Sequence, residues 1–276
     1  MPVLTLTSDT GNQDFISGAV KGVLLQTTGV GFNLVDITHN LTPFNLPHAA
    51  YVCRNVLRNF PAGSYHAILV NLFEYKTDHL LAAEKNGQVF FCADNGLISM
   101  MLDELPASVY ALPLDKRQPK NILGIASTIG QALKQLEAGA TLAGIAPETT
   151  AYIQKNNLKP LSGPNYLEGQ IIFTDHFENV ITNITRELFE EHRRGRSFKI
   201  SFKRDEIIDR LSETYGDVPE GEKLALFNSA GYLEIAINQG NAAGLFGLKG
   251  MPGTSQPDGA YLQNRLFYHK VKIYFE

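Results

Sequence analysis

Tryptophan is absent from the 276 residues, and cysteine occurs only twice. Two cysteines, Cys53 and Cys92, cannot make a disulfide framework, so a reducing, cytoplasmic setting is expected. Both lie in apolar runs, where small core residues are common. A basic excess is also lacking. Lys and Arg total 24 against 28 Asp and Glu, for a formal net charge of -4. That balance argues against a dedicated nucleic-acid binder. No stretch approaches the ~18 apolar residues of a membrane span. Met1 to Leu6 has neither the basic start nor the apolar centre of a signal peptide. Metal-ligand spacing, a phosphate-binding glycine loop and a nucleophile elbow are missing too, so no metal is expected. What is present is 44% hydrophobic and 19% charged residues, enough for a sizeable core and unlike a disordered chain.

The first half alternates strand and helix patterns. Val3–Thr7, Phe32–Ile37 and Tyr65–Val70 read as strands. Between them, Phe15, Ile16, Ala19, Val20, Val23 and Leu24 recur at helical spacing, as do Leu46, Ala49, Val52, Cys53, Val56 and Leu57. This order predicts right-handed crossovers and a mostly parallel sheet with flanking helices. Leu80–Ala83 and Gln88–Cys92 flank Lys85-Asn86-Gly87, a hairpin signal. Ser108–Leu112 is another short strand, and Ile122 to Leu136 carries one more helical face. Lys155 to Pro164 is polar, with two prolines and a glycine, and reads as a connector. Beyond it come short strand runs at 169–174, 180–184, 198–202, 223–227, 232–237 and 269–276, with a helix near 186–193. The expectation is an N-terminal α/β domain over 1–155, a linker over 156–164, and a C-terminal antiparallel β-barrel-like domain over 165–276.

Polar loops fall where an α/β sheet binds ligands, at the carboxyl ends of strands. Asp9 and Asp14 lie in the first such loop, and a carboxylate there can accept both hydroxyls of a ribose. Loop aspartates also cap turns and helices. His39, after the second strand, can be catalytic or can order a turn, and Phe44 can stack on a ring or fill core. Asp94-Asn95-Gly96 is a turn signal. The segments 174–184 and 228–236, the latter followed by Gly240-Asn241-Ala242-Ala243, add further polar groups between strands.

Five segments in this order resemble the S-adenosylmethionine (SAM) hydroxide adenosyltransferases, relatives of the SAM-dependent fluorinase and chlorinase. They are Thr7-Ser8-Asp9-Thr10-Gly11 with Asp14; Asp36-Ile37-Thr38-His39 with Pro43; Ala93 to Leu97; Asp175 to Asn179 with Thr182-Asn183-Ile184; and Asn228-Ser229 through Ala243. The resemblance spans essentially the whole chain. It implies a homotrimer with ligand sites between subunits, and SAM or an adenosine-like molecule as substrate or ligand without a further cofactor. The implied reaction moves the 5′-carbon of SAM from sulfur to water, giving adenosine and methionine. Asp9, Asp14, Phe44, Asp175, Phe177, Asn179, Asn228, Ser229 and Ala242 are the implied ligand-binding positions.

The water-handling positions depart from the family. Asn71 stands for an aspartate, and an amide can hold water but cannot take its proton. The family's arginine falls near Asp78, and its histidine on Gly124. Glu74, Asp78 and His79 supply new ionisable groups close by, although surface charges need no special role. Asn71 and Glu74 are the catalytic candidates. The alternatives are a SAM or nucleoside binder that has lost hydrolysis, and an enzyme using another nucleophile or adenosyl substrate.

Overall fold

In the computed structural model, Val3–Ser8 (β1), Asn33–Thr38 (β2), Tyr65–Leu69 (β3), His79–Lys85 (β4), Gln88–Cys92 (β5) and Val109–Pro113 (β6) form one sheet. The structure describes residues 1–29, 31–76, 78–102, 104–203, 206–245, 247 and 269–276. The sheet order is β2-β1-β3-β5-β4-β6. β1 pairs in parallel with β2 and β3, and β3 with β5, whereas β4 is antiparallel to both β5 and β6. The antiparallel step comes from the tight β4–β5 turn, where Asn86 and Gly87 both take positive φ, 54° and 72°. These are the residue types that tolerate that conformation at least cost.

Helices cover both faces of the sheet. Ile16–Thr28 (α1) and Ile122–Glu137 (α4) lie on one face, where Leu4 and Leu6 of β1 meet Val20, Leu24, Ile125, Ile129 and Leu133. Leu46–Leu57 (α2) and Leu97–Met101 (α3) lie on the other, where Ile68, Leu81 and Phe90 meet Ala49, Cys53, Leu97 and Ile98. Each fully buried Leu or Ile contributes roughly 1.5–3 kcal/mol. The short helix Leu142–Ile145 (α5) follows α4.

The second half forms an antiparallel sheet. It contains Leu161–Gly163 (β7), Tyr166–Thr174 (β8), Val180–Thr185 (β9), Phe198–Lys203 (β10), Glu206–Ile208 (β11), Lys223–Phe227 (β12), Tyr232–Ile237 (β13) and Lys270–Phe275 (β14). Its order is β11-β10-β14-β8-β9-β13-β12, with β7 on β8. β11 and β12, the two ends of that order, touch, which curls the sheet into a nearly closed barrel. Arg186–Arg193 (α6) begins at Thr185, whose side chain accepts the Leu188 N–H, and it buries Phe189 inside the barrel. That ring packs against Phe198, Phe227 and Phe275 at centroid distances of 5.2, 5.4 and 5.7 Å. Ala242–Leu245 (α7) is a single turn.

The chain is thus an α/β domain followed by a barrel-like β domain. Its contacts divide it into two compact units, Met1–Asn156 and Asn157–Glu276. Within the stretch read from sequence as connector, Leu161–Gly163 pairs with β8 as a strand. Among the described residues no helix is long and apolar enough to cross a membrane.

Candidate functional site

Asp9 follows β1 directly, and Asn71 lies two residues beyond the end of the neighbouring β3. The Asn71 backbone N–H donates to Asp9 Oδ2 at 2.9 Å. Burial pushes the Asp9 carboxyl above its ordinary range, while hydrogen bonds from the Asn71 amide and its own amide pull it back. Asn71 holds this position with φ 47°, a left-handed conformation that asparagine tolerates. Buried Asn95, from the β5–α3 connection, fixes the same backbone by donating through Nδ2 to the carbonyls of Val70 and Asn71 at 3.0 and 3.3 Å.

The side chains continue the network. Asn71 Nδ2 donates to Glu74 Oε2 at 2.5 Å, and Glu74 Oε1 pairs with Lys155 Nζ at 3.1 Å. The Lys155 ammonium also sits 5.6 Å from the centre of the Tyr75 ring. The Lys155 backbone N–H donates to Ser99 Oγ at 2.8 Å. The structure therefore brings Asp9, Asn71 and Glu74 into one connected cluster, with both oxygens of Glu74 engaged. Asn71 Oδ1 remains the group able to accept a hydrogen bond from a water.

The other candidates of this unit stand differently. Asp14 is exposed and accepts the Ile16 N–H at 2.9 Å, which orders the start of α1. Phe44 is exposed, with φ 60°. His39 is buried. Its Nδ1 lies 2.7 Å from Ser8 Oγ, its Nε2 lies 3.3 Å from Asp36 Oδ1, and its carbonyl accepts the Gly11 N–H. These bonds tie the Asp9 loop to β2, a turn-ordering role. Asp78 is a surface residue paired with Lys120, which holds its carboxyl below the usual range. At Gly124 a side chain would collide with the Pro119 carbonyl, so the path of the β6–α4 loop itself requires glycine there.

In the second unit the β8–β9 turn is closed by its own side chains. Asp175 accepts from the Asn179 backbone N–H at 2.8 Å and from Asn179 Nδ2 at 3.0 Å. The Asp175 amide in turn donates to the Asn179 carbonyl. Phe177 is left at the tip, 75% exposed, with its edge to His176. The Glu178 carbonyl accepts the Ala243 N–H, which ties this turn to α7 and buried Ala242. Asn228 Oδ1 accepts from the amides of Ala230 and Tyr232 and closes the β12–β13 turn, in which Ser229 is exposed.

Buried Glu234 lies beside these turns and receives the Tyr215 hydroxyl at 2.7 Å. Burial, joined by the Asp175 charge, raises its pKa against hydrogen bonds from Tyr215 and Asn228. Asp175, Asn179, Asn228 and Glu234 thus share one polar neighbourhood. Among the described residues, no group of three or more His, Cys, Asp or Glu is placed to hold a metal ion.

Two family models match the chain. The model described as the SAM hydroxide adenosyltransferase N-terminal domain matches residues 4–145, and that of the C-terminal domain matches residues 169–253. The chain belongs to the SAM hydroxide adenosyltransferase family. An (R)-S-adenosyl-L-methionine hydrolase of Thermus thermophilus is 30% identical over 258 residues, covering 89% of this chain and 96% of the relative. A fluorinase of Nocardia brasiliensis is 25% identical over 285 residues, covering 90% and 94%. The crystal structure of a conserved Thermotoga maritima protein shares the fold, with a TM-score of 0.78, 23% identity and coverage of 98% and 99%.

Within the Asp175–Asn179 turn, Glu178 takes a left-handed backbone with φ 61°. A residue with a Cβ is poorly suited to that conformation. In the sequence Lys155 is only the first residue of the polar connector. The only available signal was an unpaired lysine amid asparagines, and the partner Glu74 is 81 residues away. Glu234 was visible as a charged residue within an apolar strand pattern.

Proposed function

We propose that this protein is a homotrimer that binds SAM, or another ligand carrying the adenosyl group, with the ribose diol on Asp9. In this reading Asp14 and Phe44 also face the ligand, as do Asp175, Phe177, Asn179, Asn228, Ser229 and Ala242. The supporting observation is the Asp9 carboxylate held against the Asn71 amide at the carboxyl ends of neighbouring parallel strands. It is anchored at one oxygen and has remaining lone pairs for hydroxyl donors.

The hydrolysis reading follows from the same cluster. Water attacks the 5′-carbon, the C–S bond breaks with its electron pair on sulfur, methionine leaves as a neutral thioether, and one proton is released. The leaving group is already activated, so the protein's task is to orient water and receive that proton. Asn71 can orient water through Oδ1. It cannot take the proton, and Glu74, held by Asn71 and Lys155, is left as a weakened base. We therefore assign tight adenosyl binding with slow turnover to adenosine and methionine. A binder without turnover is favoured by the closed backbone at Gly124, which leaves no room for the family's histidine.

Incubation with SAM, chromatography of adenosine and methionine, and calorimetric titration with SAM and adenosine test both statements. Binding with slow or absent adenosine release agrees with the reading. Failure of both ligands to bind overturns it.

A further inference from the structure

A chain of polar side chains leads to the Asp9 loop from the neighbouring strand β2. Ser8 and His39 are 2% and 4% exposed. Ser8 Oγ lies 2.7 Å from His39 Nδ1 and 2.9 Å from Thr10 Oγ1. Buried His39 Nε2 has no closer hydrogen-bond partner among the described residues and lies 3.3 Å from Asp36 Oδ1. Asp36 pairs in turn with Lys21 at 2.5 Å. The chain therefore starts at a charged pair open to solvent, passes through two buried groups, and ends at half-buried Thr10, directly after Asp9.

The chemistry of these groups assigns the hydrogens. A carboxylate only accepts, so the single ring hydrogen of a neutral imidazole belongs on Nε2, toward Asp36. Nδ1 is then an acceptor and takes the one hydroxyl hydrogen of Ser8. The Ser8–Thr10 contact must use the Thr10 hydrogen, which leaves Thr10 Oγ1 with lone pairs alone. Asp9 likewise offers only lone pairs, and its Oδ2 already receives the Asn71 amide. On the far side of Thr10, the Gly11 N–H donates to the His39 carbonyl at 2.7 Å. His39 thus holds the loop both before and after Thr10. Two fixed acceptors on consecutive residues match a ligand with two adjacent donors.

We propose that Thr10, oriented through Ser8 and His39, shares the ribose diol with Asp9 by accepting one of its hydroxyls. The site then selects ribonucleosides over deoxyribonucleosides. The inference rests on the adenosyl reading of the Asp9 site. Calorimetric titration with adenosine, 2′-deoxyadenosine and 3′-deoxyadenosine tests it, on the unmodified protein, Thr10→Val, Thr10→Ser and Ser8→Ala.

Thr10→Val should weaken adenosine binding about 5-fold, the scale of one neutral hydrogen bond. One of the two deoxy analogues should bind it unchanged, because that analogue lacks the hydroxyl that Thr10 accepts. Thr10→Ser keeps the hydroxyl and should bind adenosine as the unmodified protein does. Ser8→Ala detaches Thr10 from His39 and should narrow the preference for adenosine over the same analogue. A preference that Thr10→Val leaves intact, whether all three ligands weaken together or none does, would overturn the inference alone. An intact preference in Ser8→Ala would do the same. Failure of the unmodified protein to bind adenosine would overturn the reading of the site, and this inference with it.

Discussion

Asp9 combines partial burial with an anchoring hydrogen bond from the Asn71 amide, and both properties have measurable consequences. Charge-assisted hydrogen bonds to a ribose diol are worth roughly 1.5–3 kcal/mol each. Asp9→Ala should therefore weaken adenosine binding at least ~10-fold by calorimetry, and an unchanged affinity would remove Asp9 from the site. Because burial raises the Asp9 pKa, affinity should begin to fall on acidification at a higher pH than for an ordinary aspartate. Glu178 illustrates strain at one residue. Left-handed backbone costs a residue with Cβ about 1–3 kcal/mol, while glycine returns part of that as unfolded-chain entropy. Glu178→Gly should thus stabilise the protein by about 1 kcal/mol in urea titrations. A loss of stability would show that the Glu178 side chain compensates the backbone. Glu234 has a pKa raised by burial, so the folded state binds its proton more tightly than the unfolded state does. Its contribution is therefore most favourable at low pH and is lost as pH rises beyond the usual 4.5. Glu234→Gln should flatten that dependence in melting curves and raise stability at neutral pH.

The segment after β3 decides the chemistry at the scale of an element. Its backbone is fixed by Asn95, and its Glu74 is held between Asn71 and Lys155. A positioned acid or base contributes typically 10²–10⁴ in rate. Asn71→Asp restores a carboxylate whose amide already faces Asp9, and it should increase adenosine release from SAM by at least ~10-fold. Glu74→Gln removes the remaining carboxylate of the loop and should abolish whatever slow hydrolysis the unmodified protein has. Brisk hydrolysis that survives Glu74→Gln would show that neither residue handles the proton.

For the whole molecule, the two units each present a polar cluster of the proposed ligand site, and neither cluster surrounds a nucleoside by itself. Association into a trimer, implied by the family resemblance, provides the enclosure in our reading. Light scattering at micromolar concentration should give the mass of three chains, and a monomer would refute this part of the proposal.

Local pattern by itself determined most of the architecture. β12 and β13 run over Lys223–Phe227 and Tyr232–Ile237, the bounds read from alternation, because period-two patterning and the Asn228–Gly231 turn are properties of a dozen adjacent residues. The β4–β5 hairpin followed from Asn86-Gly87 for the same reason. Short elements escaped: α3, α5, β7 and β11 have three to five residues each, too few to show a period. The site was legible as residue types near strand ends, whereas its connections were not. That Lys155 reaches Glu74 and that Asp175 lies near Glu234 are long-range facts. They depend on where loops from distant parts of the chain meet, and that is fixed only when the sheets and helices pack.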